Sequence, residues 1–135
     1  MNIKGSCTLG IVNSNLTKGE ISSSLNLLPT TTIEKGQMIS ETLKKKSDAS
    51  RWLYKEPIQE GEQVSKTLSR LLNRIDARGI HNVIKHCEDC FIGVYINSEY
   101  GQIGFELPSE TIILLSKLGI RLDIHILSFG MVDDN

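Results

Sequence analysis

The sequence predicts an α+β domain, a largely antiparallel sheet of about six strands with two to four helices packed on one face. Three observations carry that expectation. Period-two and helix-period spacings of apolar residues take turns along the 135 residues, strand-like runs come in pairs separated by single helices, and connections are short apart from one lysine-rich stretch. A chain of this length buries roughly two-thirds of its unfolded surface, so one core is enough. The hydrophobic share is 39% and the aromatic share only 5%, so that core must be Leu, Ile and Val. The expected organisation is a single domain over 1–135, with a mobile loop at 38–50 and a frayed tail at 128–135.

In "SCTLGIV", Cys7, Leu9 and Ile11 alternate with Thr8 and Gly10, as in a half-buried strand. "NLTKGEISSSLNLL" follows with Thr17 and Glu20 spaced as a capping box, and with Ile21, Leu25 and Leu28 as an apolar stripe before Pro29 stops the helix. "TTTIEKGQM" is β-branched up to Gly36 and predicts an edge-like strand and a turn. "SRWLYKEP" predicts a strand ending at Pro57, with Trp52 and Tyr54 on one face. Val64, Leu68, Leu71, Leu72 and Ile75 then mark the strongest helix, and "RGIHNVIKHCED" a shorter one with Ile80, Val83, Ile84 and Cys87 inward.

"CFIGVYIN" is apolar on both faces, as expected of a central strand. "SEYG" is read as turning it into "QIGFEL", a hairpin partner in which Ile103, Phe105 and Leu107 alternate with Gly104 and Glu106. "PSETIILLSKLG" predicts a helix with Ser109 as N-cap, Ile112, Leu115 and Leu118 inward and Gly119 as its stop. In the final strand, "IRLDIHIL", Ile120, Leu122, Ile124 and Ile126 face one way and Arg121, Asp123 and His125 the other. The first six elements are compatible with a ferredoxin-like split βαβ unit, with strand order left open.

Composition narrows the function. Fifteen basic against sixteen acidic residues create no general positive field, so nucleic acid is not an expected partner. The one basic run, Lys44-Lys45-Lys46, lacks interleaved aromatics and reads as a solvated loop. No stretch approaches the ~20 apolar residues that a membrane helix needs, and no secretory leader is recognisable, so the expectation is a soluble cytoplasmic protein without a membrane partner. Three cysteines, an odd number, suit reduced thiols.

Cys87 and Cys90 form a C-x-x-C pair with His81 and His86 nearby, but structural zinc sites bring four ligands. The two histidines, five apart, lie about 140° apart around a helix. The pair closes a helix and is flanked by Glu88 and Asp89, the opposite of a thiolate-stabilising helix N-terminus. No metal and no cofactor is expected.

The polar face of the last strand is the better constellation. Glu106, Arg121, Asp123 and His125 would converge on the sheet face opposite the helices if "QIGFEL" paired with that strand. With Trp52 these residues make up the candidate interaction face. No nucleophile elbow, metalloprotease helix, P-loop or dinucleotide fingerprint is present, and no catalytic residue is assigned.

Several segments carry a family resemblance. The helix ending Leu27-Leu28-Pro29-Thr30, the Lys35-Gly36 turn, the Trp52 strand, the helix "VSKTLSRLLNRI" and "GFELPSETIILLSKLGIRLDIHIL" resemble, in order, the bacterial domain-of-unknown-function family numbered 4279. The resemblance runs from Thr17 to Leu127. It implies a small α+β protein without an established activity, in a family where some relatives resemble immunity proteins that accompany toxins. Cys87 and Cys90 fall outside its invariant motifs, and His125 stands where the resemblance implies an acidic residue.

The expected function is therefore a non-enzymatic bacterial binding protein, an immunity protein in its most specific form, that neutralises a toxin by protein–protein contact. The alternative is a small hydrolase or ligand-binding domain using Glu106, Asp123 and His125. A third reading is a homodimer formed through an edge strand.

Overall fold

The computed structural model describes residues 3–131. In chain order the elements are β1 (Ile3–Ser14), α1 (Lys18–Leu25), β2 (Thr31–Ile33), β3 (Met38–Ser40), β4 (Lys45–Lys46), β5 (Arg51–Pro57), α2 (Val64–Arg74), α3 (Ala77–Ile84), β6 (Cys87–Tyr100), α4 (Ser109–Leu118) and β7 (Arg121–Met131). Five strands form the main sheet in the order β2-β5-β1-β6-β7, and β3 and β4 form a separate ribbon. The fold is α+β as expected, but the sheet is mixed: β1 pairs antiparallel with β5 and β6, while β7 lies parallel to β6.

That parallel pair replaces the predicted hairpin. Residues 101–108 make no ladder, and with α4 they carry the chain from the end of β6 back to the start of β7. A parallel neighbour requires such a crossover, whereas a tight turn can only reverse the strand. Ile103, Phe105 and Leu107 do alternate, but because one side of the segment packs on the helix-side core. β6 and β7 are direct neighbours, unlike the parallel strands of a split βαβ unit.

Register assigns the two sheet faces. Cys7, Leu9 and Ile11 of β1 stand opposite Val94, Ile92 and Cys90 of β6, and Ile11 opposite Trp52 of β5. These residues share one core cluster with Ile21 and Leu25 of α1, Leu68, Leu71 and Leu72 of α2, Ile80 and Val83 of α3 and Leu118 of α4, with the half-buried Cys90 packed against it. All four helices thus feed a single apolar layer on one face. The other face carries the alternate residues, among them Thr8, Gly10, Phe91, Gly93, Tyr95, Arg121, Asp123 and His125.

Local sequence explains the helix ends. Thr17 and Glu20 form the reciprocal capping box that starts α1. The helix ends before Pro29, at Asn26, whose left-handed backbone (φ 54°) closes the last turn, so Leu28 lies outside it and is exposed. Asp76 caps α3 by accepting from the Gly79 N–H at 2.7 Å. α4 is preceded by Pro108 in the N-cap position, making Ser109 its first residue, and Ile112 faces outward.

Two expected irregular segments are more ordered. Residues 38–50, read as a mobile loop, contain the β3–β4 ribbon and the buried Ser47 and Ala49, and the Ser47 hydroxyl donates to the Ala49 carbonyl at 2.6 Å. β7 continues through Met131, so the strand overlaps the first part of the tail expected to fray from 128; residues 132–135 lie outside the described residues.

Candidate functional site

The open sheet face is organised by rings lying over glycines. A Cβ added at Gly10 would sit 2.5 Å from the Phe91 ring, and one at Gly93 would sit 2.6 Å from the Tyr95 ring, so both aromatics lie flat on the sheet where a side chain is missing. Each seated ring holds the neighbouring β7 side chain. The Arg121 guanidinium stands 5.6 Å from the Phe91 centroid, within cation–π range. The His125 ring stacks on Tyr95, with centroids 4.9 Å apart and planes 7° from parallel.

Arg121 is further fixed by two carboxylates. Its Nη1 and Nη2 donate to Asp89 Oδ1 and Oδ2, each at 3.0 Å, in a bidentate fork, and its Nε donates to Asp123 Oδ1 at 2.9 Å. Arg121 holds the Asp89 carboxyl below its usual range, and Asp89 and Asp123 together push the guanidinium up. The group is exposed, so its worth lies in presenting charge in a defined geometry rather than in stability.

Three residues of the predicted face, Arg121, Asp123 and His125, therefore come together with their side chains on the open face. The other two do not join them. Trp52 is buried on the helix side, where its Nε1–H donates to Ser22 Oγ at 3.3 Å, because its alternation with Leu53 turns it toward α1. Glu106 lies on the crossover, which packs on the helix side of the sheet, and its exposed side chain is separated from Asp123 and His125 by the sheet itself. The acid–base trio of the hydrolase reading is not assembled. The Asp123 carboxylate is engaged by Arg121, and His125 by Tyr95.

Asp89, Phe91 and Tyr95 were missed because β6 read as apolar on both faces. The signal was present: odd positions 89 to 97 read Asp, Phe, Gly, Tyr, Asn, against Cys, Ile, Val, Ile at the even positions 90 to 96. A second polar cluster was also missed. The Glu56 carboxylate, almost buried at the helix-side end of β5, accepts from Arg70 Nε at 3.1 Å, Tyr54 Oη at 3.0 Å and Arg74 Nε. Arg70 also grips Glu62 with both terminal nitrogens, at 2.8 and 2.9 Å. Burial pushes the Glu56 carboxyl up, but bonds from Arg70, Tyr54 and Arg74 more than offset this and hold it low. Arg70, helped by Thr67, holds Glu62 down to about 2. The clue was the stripe Trp52, Tyr54, Glu56, which carries a carboxylate into the core side and demands a cation there.

The cysteines are free thiols. Burial pushes Cys7 and Cys90 up to about 12, and burial with Asp89 raises Cys87. His81 Nε2 meets the Lys117 carbonyl at 3.0 Å and His86 Nδ1 the Asn82 carbonyl at 2.9 Å. Among the described residues no three His, Cys, Asp or Glu side chains group closely enough to hold a metal ion. No helix among them is long and apolar enough to cross a membrane.

A sheet covered by helices on one side, whose open face carries a fixed Arg–carboxylate fork and an aromatic stack, defines a small two-layer α+β domain with a polar–aromatic surface. The chain belongs to the family described as Domain of unknown function (DUF4279), whose sequence model matches residues 2–129. No curated protein and no solved structure matches it.

Proposed function

We propose that this chain is a non-enzymatic binding protein that engages another protein through its open sheet face. The observation that carries the reading is the division of the fold. Every helix packs on one face, and the opposite face presents Arg121 in its carboxylate fork beside the exposed Tyr95–His125 stack. Arg and Tyr are the residue types that most often dominate the energetics of protein interfaces. Ordering them beforehand lowers the entropy lost on association. The three free thiols fit a reducing, cytoplasmic setting. In the most specific form of this reading the partner is a toxin and the chain its bacterial immunity protein, as the family resemblance implies.

The test begins with native mass spectrometry of the full chain isolated gently from its host, to identify a co-purifying polypeptide. That partner is then titrated against the parent and an Arg121→Ala/Asp123→Ala variant. Removing an interfacial Arg and its orienting carboxylate should weaken binding by about 2 kcal/mol or more, roughly thirtyfold, with circular dichroism unchanged. Equal affinity in parent and variant would show that this face is not the interface.

A further inference from the structure

The two edges of the main sheet are unlike. β2 presents only the three residues Thr31–Ile33, too short a template for another strand. β7 runs for eleven residues, and among the described residues no strand pairs with its outer side. Sheets ordinarily blunt such an edge with charged side chains, above all Lys, with Pro or with a bulge. From Arg121 to Ser128 this strand contains no Pro and no Lys, its two charged residues Arg121 and Asp123 are bonded to each other, and its ladder with β6 is regular over that length. Apolar side chains lie open on its helix side, where Ile124 is 45% and Ile126 50% exposed, while the other face carries Arg121, Asp123 and His125 and then Leu127, 57% exposed. A shallow hollow of about 430 Å³ follows the strand, lined in part by Tyr95, Ile124, His125 and Leu127.

We propose that β7 pairs antiparallel with β7 of a second copy of this chain, across a two-fold axis at Ile124, joining two five-stranded sheets into one. Side-chain pairing across the axis selects the register. With the axis at Ile124, Asp123 stands opposite His125 of the second copy, and His125 opposite its Asp123, on the open face. Leu122 then meets Ile126 of the second copy, and Ile124 meets itself, on the helix side. Moving the axis to Asp123 sets two carboxylates against each other, a destabilising cross-strand pair, and moving it to His125 sets imidazole against imidazole and leaves Asp123 opposite Leu127. Pairing also satisfies the outward backbone donors and acceptors of the edge, and a two-fold axis closes the assembly at two copies. The dimer does not require the heterologous partner proposed above; Asp123 and His125 border both surfaces, and Ile124, the residue its test replaces, lies on the helix side.

Two measurements test this on the full chain. Sedimentation velocity should show a concentration-dependent species of twice the 15.0 kDa chain mass, lost in Ile124→Lys with circular dichroism unchanged. In a Cys87→Ser background, Ile124→Cys should form a covalent dimer under mild oxidant, because residue 124 faces itself across the axis. Leu127→Cys, which this register places opposite Arg121, should not. A parent that stays monomeric into the submillimolar range overturns the proposal, and so does a dimer that survives Ile124→Lys and yields no Ile124→Cys cross-link. Should Ile124→Lys fail to fold, the cross-linking pair decides alone. Either result leaves the affinity for a different protein to be read separately from the partner titration.

Discussion

Replacing Glu56 by Gln should destabilise the protein by about 2–3 kcal/mol. The figure follows from what the carboxylate does and from what survives its loss. Its side chain is only 9% exposed and accepts from Arg70, Arg74 and Tyr54. Removing one member of a fully buried ion pair costs about 3–5 kcal/mol because the partner is left charged and dry. Here the partners are better placed. Arg70 keeps both bonds to Glu62, and Arg74, 47% exposed, can rehydrate. The loss therefore falls below that of a sealed pair, near the ~1.5–3 kcal/mol of a hydrogen bond to a charged group. For a domain of this size about 2–3 kcal/mol corresponds to roughly 6–12 °C in Tm, measurable by calorimetry and by urea unfolding. Tyr54→Phe, which removes one donor and leaves both arginines on the carboxylate, should cost about 1.5 kcal/mol, the low end for a bond to a charged group. A Glu56→Gln protein within about 1 °C of the parent, or a Tyr54→Phe loss equal to it, would refute this account of the network.

Three further outcomes follow from the same geometry. The folded Glu62 carboxyl titrates near 2 against an ordinary value of 4.5, so its contribution is complete above about pH 4.5 and is lost as pH falls toward 2; Arg70→Met should flatten the acid limb of a stability–pH curve in that window, and an unchanged limb would count against the bidentate grip. Burial raises the Cys7 and Cys90 thiols from 9.0 to about 12, so stability should decline as pH climbs from 9 toward 12; a disulfide reagent at neutral pH should label Cys7 only on unfolding, and rapid labelling of Cys7 itself in the native chain, located by peptide mapping, would contradict its burial. Gly79→Ala would gain about 1 kcal/mol of helix propensity, yet its Cβ would lie 1.8 Å from the Ser24 carbonyl oxygen where α3 crosses α1. The overlap wins, and urea unfolding should show a net loss of about 1–3 kcal/mol, whereas a stabilised variant would mean that the helices separate freely.

Much of the fold was legible because one-sided burial writes a period into the chain. The capping box at Thr17 and Glu20, the stripe from Val64 to Ile75, and Leu122, Ile124 and Ile126 on one face of the last strand are found as read, while Ile120 is buried just before that strand begins. The alternation of Ile103, Phe105 and Leu107 misled, because a segment lying on a helix layer hides every second side chain as a paired strand does. Period reports burial, not hydrogen-bond partners. The candidate site divides in the same way. Arg121, Asp123 and His125 share a strand, so their common face could be read, whereas Asp89, Phe91 and Tyr95 reach them only through the β6–β7 register. Glu106 was placed on that face by a hairpin that does not form, and Trp52 turns to the helix side with Tyr54 and Glu56.

The first strand of the chain is the middle of the sheet. β1 has β5 on one side and β6 on the other, and its pairing with β6 joins Ser14 to Cys87 and Ile3 to Ser98. A ribosome adding ~5–20 residues per second therefore leaves β1 without its second neighbour for several seconds after it emerges. During that interval its Cys7, Leu9 and Ile11 stripe has only part of its cover, and closing so long a loop delays the pairing further. The chain cannot grow outward from a finished edge. It must hold an open centre until β6 arrives, which makes the nascent protein, more than the folded one, the state in which its apolar strands are exposed to misassembly.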